Sequence, residues 1–178
     1  MKRILLCFMG ILYLAFVQAQ AIKHPFLLYT PQRIQQVKQR MQHEPKLQEA
    51  WGDIKKTADE ALQKKDFNRL DYLSLAYLMT DNKEYADAIK EILLKAVEAE
   101  SWGDVEMMAR IPAWRSQLGM AHKSFLSAVG YDAAYNVMSS LERKKIAEGL
   151  KRLAVEPALG DWLLEPTRIH SLNSMGHN

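Results

Sequence analysis

The chain has 178 residues, with 24 Lys and Arg against 21 Asp and Glu, a formal net charge of +3 and one cysteine. Apolar residues at 48% and charged residues at 25% match a globular chain rather than a disordered one. A cationic excess this small, with no clustered basic face, argues against nucleic acid as a partner and leaves acidic polymers open.

Residues 1–21 read as a signal peptide. Lys2 and Arg3 form a short basic start, residues 4–17 are apolar and uncharged, and Ala19-Gln20-Ala21 offers small residues for cleavage after Ala19 or Ala21. The apolar run is shorter than the ~20 residues that a membrane span requires. No span is expected once it is removed. Leu6 stands where a lipoprotein signal needs a small residue before Cys7, so lipidation is not expected. Cleavage removes Cys7, and residues 22–178 then carry no thiol for a disulfide, a nucleophile or a metal. Export without cysteines points to a Gram-negative periplasm or exterior. Losing Lys2 and Arg3 leaves 22 cations against 21 carboxylates, so the pI of 8.9 overstates how basic the mature part is.

Helix follows helix from there on. His24-Pro25-Phe26-Leu27-Leu28-Tyr29 is a short extended strip. Thr30 then caps a helix that has Pro31 in its first position and Ile34, Val37 and Met41 on its apolar face. His43-Glu44-Pro45 ends it. The next helix, over 46–64, has Leu47, Trp51, Ile54, Ala58 and Leu62 at helical spacing. A shorter, more apolar helix over 69–79 reads as an inner one, covered on several sides. Asp81-Asn82 turns the chain into an amphipathic helix over 84–98. Residues 101–112 read as irregular. Residues 113–138 suggest two helical pieces divided at Gly130, and 141–153 a helix capped by Ser140. Beyond Glu156-Pro157 the chain is expected to loosen. No stretch alternates with period two, so no sheet is expected. The sum is an all-α chain of αα-hairpins, with polar-faced helices alternating with more apolar ones, as in a double-layered ring.

Two clusters carry candidate chemistry. Arg110-Ile111-Pro112-Ala113-Trp114-Arg115-Ser116 brings a flat aromatic and two guanidinium forks to a proline-fixed bend. These parts suit a sugar ring and its carboxylate or sulfate groups. The competing account makes Trp114 core, with both arginines solvated or paired to Asp104 or Glu106. The second cluster is His170-Ser171-Leu172-Asn173-Ser174-Met175-Gly176-His177-Asn178. His170 and His177 lie seven apart with amides between them, unlike the i, i+4 spacing of helical zinc sites, so no metal is expected. There is no Gly-x-Ser-x-Gly elbow for a serine hydrolase. What remains is an imidazole beside amides, suited to proton transfer and to binding a carboxylate. Tyr131, Asp132 and Tyr135 read as a packing group with Asp132 capping; His24 and His122 read as structural or exposed.

The opening strip with its Pro-capped helix, Trp114-Arg115-Ser116-x-Leu118-Gly119 followed by Tyr131-Asp132, and Ser174-Met175-Gly176-His177-Asn178 together resemble heparinase II/III-like polysaccharide lyases. The likeness covers nearly all of residues 22–178, as an N-terminal portion of that family. It implies an incomplete (α/α) toroid, followed in the family by β-sandwich domains, with the cleft between them. It also implies β-elimination at a uronic acid of an acidic polysaccharide, with no cofactor. Carried over by motif, Asn178 neutralises the uronate carboxylate, and His177 beside it is a base or second donor. Trp114, Arg115, Arg110, His170 and Asn173 line the substrate site. The family's later Tyr and His are not in this sequence, so residues 22–178 alone are expected to be inactive, as a toroid interrupted at its active-site motif. Two other readings stand beside it. One is a non-catalytic periplasmic module that binds glycan or protein. The other, a toroid glycoside hydrolase, would draw two opposed carboxylates from Asp132, Asp161 and Glu165.

Overall fold

A computed structural model describes residues 22–111 and 113–164; the expected signal peptide lies outside them. The fold is all-α, with no strand among the described residues. Thr30 accepts from the Arg33 N–H at 3.3 Å and starts α1 (Pro31–Met41), with Pro31 in the first turn where its missing N–H costs nothing. Pro45 opens α2 (Pro45–Lys64), which ends on Lys65 in the left-handed conformation. Asp81, also left-handed, ends α3 (Leu70–Thr80), and the Asn82 side chain caps α4 (Lys83–Ala96) through Glu84 N–H.

α3 is the helix the others cover. It packs against α2, α4 and α6 (Leu118–Ala134), and its Leu70, Leu73 and Ala76 are fully buried. Ile89 and Leu93 from α4, Leu126 from α6 and Ile146 from α7 (Ser140–Leu150) complete that core. Leu73→Ala here carries the usual ~2–5 kcal/mol cost of a buried leucine.

Four expectations about local structure change. Residues 101–112 contain one regular turn, α5 (Val105–Met108), capped by Asp104. Residues 113–117 are not helical, and α6 then runs unbroken through Gly130. A β-carbon there would lie 3.3 Å from both Ile89 Cγ2 and Leu70 Cδ2. Gly130 therefore sets how closely α6 approaches α3 and α4; it does not divide the helix. Ser139, not Ser140, caps α7, in a reciprocal box with Glu142. Finally, the chain stays helical past Glu156-Pro157. Wide i→i+5 turns at Lys151–Val155 and Gly160–Leu164 flank α8 (Glu156–Leu159), and Pro157 stands directly after the first of them without ending the helix.

The N-terminal strip is fastened mainly at Asp132, with the Asn136 side chain also donating to the His24 carbonyl at 3.0 Å. Asp132, buried on α6, accepts from the backbone N–H groups of Phe26 at 2.9 Å and Leu27 at 2.8 Å, and bonds His24 Nδ1 at 2.7 Å. The His24 ring stacks on Tyr135 at 3.7 Å between centroids, and the His24–Pro25 peptide is cis. Tyr131 and Tyr135 pack edge to face at 5.5 Å. Asp132 thus caps a distant strip rather than its own helix, while His122 is exposed as expected.

Candidate functional site

Residues 113–117 meet the last wide helical turn at Asp161. This carboxylate has no exposed surface. One oxygen accepts from Arg115 Nε at 2.7 Å and faces Arg115 Nη2 at 2.7 Å. The other accepts from the backbone N–H groups of Arg115 at 2.9 Å and Ser116 at 2.8 Å, and from Ser116 Oγ–H at 2.9 Å. Burial works to raise the Asp161 pKa, but hydrogen bonds from Arg115 and Ser116 outweigh it and hold the carboxyl below its usual range.

Gly160 makes the approach possible. A β-carbon at that position would stand 2.6 Å from Arg115 Nη2, so any other residue displaces the guanidinium from its place on Asp161. Trp162, next along the same turn, donates its indole N–H to Ser116 Oγ at 2.8 Å and remains partly exposed at 39%. Trp114 is buried at 8%, with its backbone N–H donating to the Met107 carbonyl at 3.0 Å. Its ring is packed inside instead of lying open as a sugar platform; Trp162 is the more accessible indole. Arg115, a third exposed, borders a cavity of about 280 Å³ that Ser101, Met108, Arg152 and Pro157 also line. Arg110 is half-buried just after α5.

Arg115 therefore pairs with Asp161, not with Asp104 or Glu106. In the sequence Trp114, Arg115 and Ser116 stand together, while their partners Asp161 and Trp162 lie far from them along the chain. The only signal was the run Gly160-Asp161-Trp162, which reads as a turn unless the helix is known to continue. His170, Asn173, His177 and Asn178 lie outside the described residues, as does Glu165.

Among the described residues no group of three His, Cys, Asp or Glu side chains is arranged to hold a metal, and no helix is long and apolar enough to cross a membrane. No family model, curated protein or solved structure matches the chain.

Proposed function

We propose that this chain is the helical part of an exported polysaccharide lyase that cleaves uronate-containing glycans by β-elimination. The observation that carries the reading is the state of Trp114-Arg115-Ser116, one of the stretches that resembles heparinase II/III-like lyases. A buried carboxylate fixes the backbone and guanidinium of this segment in one orientation at the rim of a cavity. Wide i→i+5 turns, common beside functional sites, bring Asp161 and Trp162 to the same spot. An ordered guanidinium beside an accessible indole suits contact with a sugar ring and its hydroxyl groups.

In this reading the helices are part of an (α/α) toroid, and its cleft is completed by β-structure elsewhere in the enzyme. The uronate carboxylate is held by Asn178, whose amide hydrogen bonds draw charge away from C5 as the proton leaves. His177 takes the C5 proton. The C5 electron pair forms the C4–C5 double bond as the C4–O bond breaks, and the departing C4 oxygen takes a proton from the imidazolium so formed or from water. Arg110, Arg115, His170 and Asn173 bind the substrate's anionic and hydroxyl groups, and buried Trp114 supports the segment that carries Arg115. A hydrolase is less well supported. Asp132 and Asp161, two of its three candidate carboxylates, are buried and engaged by backbone N–H groups.

The test is an assay of protein expressed from the complete reading frame on heparan-type, chondroitin-type and alginate chains. Unsaturated-uronate absorbance is expected on at least one, with Asn178→Ala lowering kcat by about 10²–10³, the usual effect of losing one donor to a developing anion. Absence of such absorbance on every uronate chain overturns the reading.

A further inference from the structure

A larger cavity, of about 560 Å³, opens where the C-terminal ends of α2 and α4 meet α6. Its size is within the ~300–1,000 Å³ of small-molecule sites. Trp102 and Phe67 form its apolar floor, their rings edge to face at 6.3 Å. Lys64, Lys95 and Lys123 stand around it. Lys65 is there too, but it is paired with Glu91. Among the described residues Lys64, Lys95 and Lys123 have no carboxylate partner, and Lys123 Nζ only reaches the Trp102 carbonyl at 3.4 Å.

Helix dipoles account for part of this. Lys64 and Lys95 lie in the last turns of α2 and α4, where cations are favoured. They do not account for Lys123, which projects from the first half of α6. Nor does α4 need Lys95 to satisfy its end, since the carbonyls of Leu93, Lys95 and Ala96 already accept from the backbone N–H groups of Val97, Glu98 and Ala99, and Ala96 also from the Trp102 indole at 3.2 Å. Three lysines without a carboxylate partner thus border one apolar-floored cavity whose single carboxylate, Glu91, is already paired, so an anion entering it meets a field of one sign.

We propose that this cavity is a binding subsite for an acidic glycan strand, its lysines meeting carboxylate or sulfate groups and Phe67 meeting the apolar face of a sugar ring. The proposal rests on the reading that the substrate is a uronate glycan, and it adds a second point of attachment. Ser101 lines both this cavity and the one beside Arg115, so a strand crossing Ser101 touches both.

The test is calorimetric titration of the expressed protein with hexasaccharides from heparan-type, chondroitin-type and alginate chains, with maltohexaose as neutral control. The triple variant Lys64→Gln/Lys95→Gln/Lys123→Gln is compared with the unsubstituted protein, and circular dichroism establishes that both are folded. At least one acidic hexasaccharide is expected to bind about tenfold more weakly to the variant, in keeping with partly exposed ion pairs. Binding is also expected to weaken as salt is added. Equal binding by the two proteins, or binding of maltohexaose as tight as that of the acids, overturns the subsite. Unsaturated product measured in the same samples separates the two claims. Product with lysine-independent binding removes the subsite alone, and lysine-dependent binding without product removes the lyase alone.

Discussion

Asp161→Asn tests the centre of the candidate site most sharply. The substitution keeps shape and volume but removes the charge, and it turns an NH₂ toward groups that are themselves donors. The carboxylate it replaces is fully buried and takes contacts from Arg115 Nε and Nη2, two backbone N–H groups and the Ser116 hydroxyl. Removing one partner of a buried ion pair costs about 3–5 kcal/mol. Arg115 keeps a third of its surface in water and rehydrates in part, which favours the low end, about 3 kcal/mol. For a domain of this size that is a fall in Tm of roughly 6–12 °C. Urea denaturation followed by far-ultraviolet circular dichroism measures it at neutral pH. The pH dependence has a definite sign. Because the folded carboxyl titrates below its unfolded value, its contribution is full above the unfolded pKa of about 4. It is lost as pH falls through the lowered folded value, so the gap between wild type and Asp161→Asn narrows in acid. A neutral-pH loss below about 0.5 kcal/mol, typical of an unremarkable surface change, refutes the view that Asp161 organises this segment.

Asp132→Ala removes the anchor of the N-terminal strip. It is expected to cost about 2–4 kcal/mol from two unmet backbone donors and the lost His24 contact, and limited proteolysis should cut first near Phe26. Two glycine substitutions are expected to differ in sign. A β-carbon at Gly149 would stand 2.3 Å from Val97 Cβ, so Gly149→Ala destabilises by about 1–3 kcal/mol, whereas Gly52 on α2 has nothing within 4 Å and Gly52→Ala stabilises by up to about 1 kcal/mol. Thermal melts of the two variants check both. Ser139→Ala removes the α7 cap and should cost about 1 kcal/mol by urea denaturation.

Local signals in the sequence were legible where one residue type carries one physical role. Thr30-Pro31 announced a helix start because a hydroxyl cap and a missing N–H fit nowhere better, and α3 announced its central position through its apolar residues on every side. Gly130 misled because a glycine that breaks a helix and one that lets a neighbouring helix approach look alike in sequence. Which it is depends on Ile89 and Leu70, and the chain does not bring these near until it folds. The turns after Leu150 were missed for a related reason. Their i→i+5 spacing departs from the 3.6-residue period by which a helix is read, and Pro157 reads as a stop. The site itself was half visible. Trp114, Arg115 and Ser116 stood out by residue type, but Asp161 is 46 positions away from Arg115 and nothing local marks the pairing. Asp132, 106 positions from Phe26, looks in sequence like a cap of its own helix, yet it serves a strip that only tertiary structure brings to it.

The central claim, β-elimination at a uronate, is tested most directly by proton NMR of the products made by protein expressed from the complete reading frame. A vinylic H4 signal from a C4–C5 double bond at new non-reducing ends is the predicted result. New ends that are all saturated, with water added across the broken bond, would contradict it and make the enzyme a hydrolase.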